Sequence, residues 1–167
     1  MQWSEYQRMF EVMKRGQLDE LEAEAARNLS FPEGIDDYLG RRWIVSAIDA
    51  HSTPTIAWML GRRVALDFRD DEGYTPLHTA IDSSGANHLE VLKLLLEAGA
   101  PVNLKGINDW TPAHMAVARD DVEALKLIVQ FGADLAIRTD IDNYETPFEE
   151  ARRYRKVNVL RYLESVD

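Results

Sequence analysis

The chain has 167 residues, 46% hydrophobic and 29% charged, and its 29 Asp and Glu outnumber 19 Lys and Arg to leave a formal charge of −10. That balance disfavours nucleic acid and anionic membrane as partners, because each phosphate contact would begin in repulsion, and it favours a basic partner. With no cysteine, neither disulfides nor thiolate chemistry is open to it.

The first 30 residues are studded with charge and lack the apolar core of roughly 7 to 15 residues that a secretory signal needs. No run approaches membrane-spanning length, so a cytoplasmic protein is expected. Phe10 to Leu21 reads as a helix, a turn at Arg15, Gly16 and Gln17, and a second helix. Glu11, Lys14, Arg15, Glu20, Glu22 and Glu24 make this first unit polar outside. A further helix pair follows: Trp43 stands at a helix start, and Trp58 falls on a core position of the second helix. Arg63 stands where the chain leaves that helix. A left-handed turn there would be strained by roughly 1 to 2 kcal/mol for a non-glycine residue, and a different local turn is equally open.

The central stretch carries a repeated phrase. Thr75, Pro76, Leu77, His78, Thr79, Ala80 recurs 36 residues later as Thr111, Pro112, Ala113, His114, Met115, Ala116. A fixed period of this size marks stacked supersecondary units. Thr75 and Thr111 can each accept from the free amides of a following helix, and Pro76 and Pro112 start it without losing a needed donor. Each phrase leads to a second apolar helix, Leu89 to Glu97 and Val122 to Phe131, then to Gly99 or Gly132, placed where a turn needs positive φ. Ser83 to Asn87 lengthen one helix-to-helix turn, and Thr139 to Tyr144 lengthen the last finger by two residues. Both insertions are candidate recognition elements or neutral variation in loops. Downstream, Thr146, Pro147, Phe148 and Ala151 repeat the opening, and Gly40, Arg42, Trp43, Ile44 and Ala47 fall in the same register upstream.

This phrase and period resemble the ankyrin repeat. The resemblance implies an all-α solenoid of helix-turn-helix units with projecting β-hairpin-like fingers. It divides a single domain, residues 1–167, into an N-terminal capping unit (about 1–30), repeats at 37–69, 70–105 and 106–138, and a C-terminal capping repeat at 139–167. Arg152, Arg153, Arg155, Lys156 and Arg161 make the last unit polar, so the array is expected to be complete. The family also implies structural roles for His78 and His114, hydrogen-bonding near their helix start and across to the adjacent repeat. Their fellows in the phrase, Thr75, Pro76, Gly99, Thr111, Pro112, Gly132, Thr146 and Pro147, are expected to be structural as well.

In the family, finger tips and first helices form a concave binding face. By register, the first clear tip is Arg69, Asp70, Asp71, Glu72, Gly73 and Tyr74, backed by Asp82 and Ser83. The next is Lys105, Gly106, Ile107, Asn108, Asp109 and Trp110, backed by Ala118 and Arg119. The last supplies Arg138, Asp140, Ile141, Asp142, Tyr144 and Glu145. Tyr74, Trp110 and the neighbourhood of Tyr144 place an aromatic just before each Thr-Pro, either as binding anchors or as braces between tips. Gly106 and Asp109 stand where Asp70 and Gly73 stand in the preceding tip, so that tip is expected to turn differently.

Little here points to chemistry. His51 and His88 sit at turns, and none of the four histidines has a partner at metal-ligand spacing, so no metal or cofactor is expected. No serine lies in a nucleophile-elbow setting and no glycine loop suits phosphate. An enzyme is therefore not expected. The reading is a protein-protein interaction module that binds a basic protein, in its sharpest form an immunity-like inhibitor of a toxin or nuclease, with no nucleic acid or membrane partner. The alternative is a scaffold or assembly subunit that bridges partners without inhibition.

Overall fold

The computed structural model describes residues 3–83, 85–141 and 143–166. Among them are ten α-helices in successive pairs: α1 (Trp3–Arg15) and α2 (Leu18–Arg27), α3 (Trp43–Asp49) and α4 (Thr53–Gly61), α5 (Pro76–Asp82) and α6 (His88–Glu97), α7 (Pro112–Ala118) and α8 (Val122–Gln130), α9 (Pro147–Arg153) and α10 (Val157–Val166). The first helix of each pair packs on the first helix of the next, and the second on the second, giving two parallel rows. The structure is thus an all-α solenoid. No strand forms among the described residues, and the fingers are hydrogen-bonded turns with one isolated antiparallel bridge, Ile35 to Arg42.

The threonines start their helices as caps. Thr75, Thr111 and Thr146 have extended backbones, and each is followed by proline at the first helical position. The Thr146 hydroxyl accepts from Glu149 N at 3.3 Å, and the Glu149 carboxylate accepts from Thr146 N at 2.9 Å. At Thr111 the return acceptor is an imidazole, with Thr111 N donating to His114 Nδ1 at 3.2 Å. Each such cap contributes about 1 kcal/mol.

Two left-handed turns punctuate the units. Between paired helices the position is held by Gly16, His51, Asp120 and Arg155, all at positive φ. At the exit from the second helix it is held by Gly99 (φ 89°), Gly132 (φ 88°) and, in the first repeat, Arg63 (φ 59°). Arg63 therefore keeps the left-handed turn and takes no alternative.

The core runs between the rows through Met9, Met13, Leu21, Trp43, Ile44, Ile56, Met59, Leu77, Leu92, Leu95 and Leu125, all essentially inaccessible. Trp58 is not part of it. The core positions of α4 go to Ile56 and Met59, while Trp58 lies half-buried with Arg62 over its ring at 4.1 Å. Its indole N–H donates to Glu22 at 3.0 Å, which explains the placement, since an inward ring would leave that donor without a carboxylate.

The lengthened turn after α5 lies on the neighbouring unit. Asn87 Nδ2 donates to the His51 carbonyl and to Thr53 Oγ1, both at 2.9 Å, and Ser83 Oγ is 3.1 Å from His51 Nδ1. Ser84 lies outside the described residues.

Candidate functional site

Four finger tips share one hydrogen-bonded frame. The backbone N–H at the tip's start donates to the carbonyl at its end: Asp36 to Arg41 at 2.8 Å, Asp70 to Tyr74 at 2.9 Å, Gly106 to Trp110 at 2.7 Å and Thr139 to Glu145 at 3.0 Å. The penultimate residue is left-handed in each, namely Gly40, Gly73, Asp109 and Tyr144. The tip at Gly106 keeps the closing bond of its predecessor but turns differently, as the sequence leads one to expect: Asn108 and Asp109 are both left-handed, at φ 54° and 58°, where only Gly73 is in the preceding tip. The departure at Gly106 is steric: a Cβ there would stand 2.7 Å from the Gly73 carbonyl oxygen and 2.8 Å from His78 Cε1.

A side chain locks three of these frames. The buried Asp36 carboxylate accepts from Tyr38 N at 3.0 Å and Arg41 N at 3.2 Å. Asp70 accepts from Glu72 N at 3.1 Å and Tyr74 N at 2.7 Å, and Thr139 Oγ1 accepts from Glu145 N at 3.2 Å. The Asp36–Arg41 tip was missing from the sequence-predicted site, although Gly40 marks its register.

His78 and His114 join each unit to the next. His78 Nδ1 lies 2.7 Å from Thr75 Oγ1, and its Nε2 lies 3.0 Å from the Trp110 carbonyl oxygen. His114 repeats this with Thr111 Oγ1 at 2.9 Å and the Glu145 carbonyl at 3.1 Å. A carbonyl only accepts, so Nε2 carries the proton, and Nδ1 is left to accept from the threonine hydroxyl. Burial favours this neutral ring, holding the His114 pKa below its ordinary value and taking that of His78 down to about 4.

Tips and first-row helices face a common hollow of about 420 Å³. Arg41, Asp70, Glu72 and Tyr74 line it from two tips, and Asp49, Thr79 and Asp82 from α3 and α5, with His51 and Ser83 at its edge. Most cations near this face are already engaged. Arg41 is paired with Asp49 at 2.7 Å, Arg119 with Asp82, and Lys105 with both Asp109 at 2.9 Å and Asp140 at 2.5 Å. Arg138 binds Glu149 at 2.6 Å and the Tyr144 carbonyl at 2.7 Å, and Arg69 donates to the Lys105 carbonyl. Asp70, Asp71 and Glu72 have no ion pair among the described residues, so the hollow and its rim stay negative.

The aromatic residues differ. Tyr74 and Trp110 are half-buried against the core edge, as is Ile107, while Asn108 is exposed. Tyr144 is 61% exposed, but it stands at the left-handed position of its tip, and Glu145 occupies the place of Tyr74 and Trp110. The two-residue lengthening of that finger displaces the aromatic by one. Asp142 lies outside the described residues. In α9, burial and the Glu145 charge push the Glu150 pKa up to about 7, whereas the Arg138 guanidinium beside Glu149 lowers its pKa to about 2. Among the described residues no group of three or more histidines and carboxylates could hold a metal ion, and no helix is long and apolar enough to cross a membrane.

The family model described as "Ankyrin repeats (many copies)" matches residues 83–129. BCL-6 corepressor-like protein 1 of Homo sapiens is 36% identical over 74 residues, which is 44% of this chain and 4% of that protein. RelA-associated inhibitor of Mus musculus is 34% identical over 100 residues, 59% of this chain and 12% of that protein. Ankyrin repeat domain-containing protein 63 of Homo sapiens is 31% identical over 106 residues, 62% of this chain and 28% of that protein. The chain thus spans only 4% to 28% of the length of these relatives. Capped Thr-Pro helices, imidazole links between units and these matches lead to one conclusion: the chain carries ankyrin repeats, with the family model matching residues 83–129.

Proposed function

We propose that this module binds a basic protein on the face formed by its finger tips and first-row helices, and that it inhibits that partner by covering its working surface. One observation carries the reading: Asp70 and Glu72, with Asp71 between them in the chain, line a hollow whose arginine, Arg41, is already tied to Asp49, and whose Asp82 is paired with Arg119. Such a surface has unspent negative charge to offer, and Tyr74 and Trp110 beside it supply the aromatic contact area typical of binding hot spots. A toxin or nuclease, whose active surface is basic, suits an immunity-like role. RelA-associated inhibitor, a relative over 59% of this chain, is an inhibitor by name.

The test is affinity capture from the source organism followed by kinetics on the purified pair. Rim charges act mainly on association, so k_on should fall as salt rises while k_off changes little. Replacing Asp70 and Asp71 by Asn and Glu72 by Gln should flatten that dependence. Trp110→Ala should weaken binding by about 2 kcal/mol or more. An acidic contact surface on the partner, or an unchanged salt slope in the triple variant, would sink the proposal. Loss of the partner's own activity on binding separates inhibition from scaffolding.

A further inference from the structure

The acidic hollow has a neighbour. Sharing Asp49 as a wall, a second cleft of about 770 Å³ opens between α1 and the first finger tip, lined by Trp3, Tyr6, Phe10 and Leu39. Scattered exposed apolar side chains are ordinary on a soluble surface, but here they are contiguous. Trp3 is 51% exposed and Leu39 40%, with Tyr38 at 44% beside them. They are also held in place. Trp3 packs on Tyr38 with ring centroids 5.1 Å apart and on Tyr6 at 5.9 Å, and Tyr6 stacks in turn on the buried Trp43 at 6.5 Å. A rigid aromatic cleft loses little freedom when filled.

The charges around it select what fills it. Three charged side chains border the cleft: Arg8, Glu11 and Asp49. Arg8 is occupied by Glu24 through both guanidinium nitrogens, at 2.5 and 2.9 Å, and Asp49 by Arg41. Glu11 has no ion pair among the described residues. The cleft therefore opens onto negative charge on its own rim and in the adjoining hollow.

We infer that cleft and hollow form one bipartite site for an extended protein segment with a bulky apolar side chain close to a lysine or arginine. The apolar side chain sits on Trp3, Phe10 and Leu39, and the cation reaches the Asp70 and Glu72 side of the hollow. A hollow of 420 Å³ is about 9 Å across, and an extended chain rises by about 3.3 Å per residue, so the two anchors should lie roughly three residues apart. This inference rests on the proposal that the finger face binds a basic partner, and it adds the apolar half of the recognition.

A library of random dodecapeptides displayed on phage and panned on the immobilised full chain tests it. The expected consensus is a Leu, Phe or Trp within roughly two to four residues of Lys or Arg. A synthetic peptide of the enriched sequence, followed by fluorescence anisotropy, should lose at least roughly tenfold in affinity when its apolar residue becomes Ser. Leu39→Lys, at an exposed tip position, should cause a similar loss, and combining the two changes should cost little more than either alone. Trp3→Ser supplies a second variant. No enrichment, a consensus without an apolar anchor, or an unchanged affinity in Leu39→Lys and Trp3→Ser would overturn the inference. If these variants are silent while the Asp70, Asp71 and Glu72 amides abolish binding, the inference falls and the charge-based reading stands; if the amides are silent too, both fall. A dimer in sedimentation equilibrium that Leu39→Lys dissolves would make a second copy the occupant, which also overturns it.

Discussion

Gly106 lies so close to Gly73 that a Cβ on it would stand 2.7 Å from the Gly73 carbonyl oxygen. Neighbouring finger tips thus touch backbone to backbone. Gly106→Ala should destabilise the fold by about 1 to 3 kcal/mol, because a backbone atom is the obstacle and has no rotamer to yield. Gly61 is the control: it ends α4 with no atom within 4 Å of its Cβ position, so Gly61→Ala should be neutral or stabilising by up to about 1 kcal/mol. The urea midpoint of Gly106→Ala should fall while that of Gly61→Ala holds or rises, and an unshifted Gly106→Ala midpoint would show that the tips have room to part.

His78 should make the protein acid-sensitive well above the range of ordinary carboxylates. Its folded pKa, about 4, lies below the 6.5 of a free imidazole, so the unfolded chain takes up the proton first. Stability is therefore complete above pH 6.5 and is lost as pH falls towards 4, by on the order of 3 kcal/mol in total. NMR titration should find the His78 ring neutral at pH 5, and a ring protonated there would refute the assignment.

Glu150 should act in the opposite sense. Its folded pKa, about 7, lies above the 4.5 of a free glutamate, so the fold favours the protonated acid and loses stability as pH rises through 7. Glu150→Gln, which keeps the shape without the charge, should raise stability at pH 8 by on the order of 3 kcal/mol and leave it unchanged at pH 4. Between pH 4.5 and 6.5 the two groups offset each other in the wild type, so the variant should also show a steeper acid loss. Denaturation curves at pH 4, 6 and 8 decide this.

Arg63 is exposed and left-handed at φ 59°, where Gly99 and Gly132 serve in the following repeats. Arg63→Gly should stabilise by about 1 kcal/mol, the relief of the left-handed cost less the added freedom of the unfolded chain. A lower thermal midpoint would mean that the arginine stem contributes packing that outweighs the turn.

The helix starts could be read from the sequence because capping is local: threonine, proline and the residue two beyond lie within one turn, and their recurrence reveals the stack. The imidazole links followed from the same phrase by family resemblance. What escaped was set by partners far along the chain. Asp82 is neutralised by Arg119 and Lys105 by Asp140, pairings between units that no local pattern shows. The Asp36–Arg41 tip holds three residues between Asp36 and Gly40, where two separate Asp70 from Gly73, which hid its likeness to the others. The cleft at Trp3, Phe10 and Leu39 joins a helix face to a tip about 30 residues away, and Trp58 lies at the core's edge, stacked on Phe31 with its indole N–H on Glu22.

The imidazole links also give the array a direction. His78 reaches forward to the carbonyl of Trp110, and His114, whose own unit receives that bond, reaches forward to the carbonyl of Glu145. Peeling the chain from its C-terminal helices takes the acceptor from a ring that is still folded and uncovers that ring to water. Peeling from the other end frees only a carbonyl at a half-exposed tip, which water takes up at once. Each link is thus closed by the unit that follows it, so loss of the helices at the C-terminal end should open the His114 link while loss of α1 and α2 leaves both links intact.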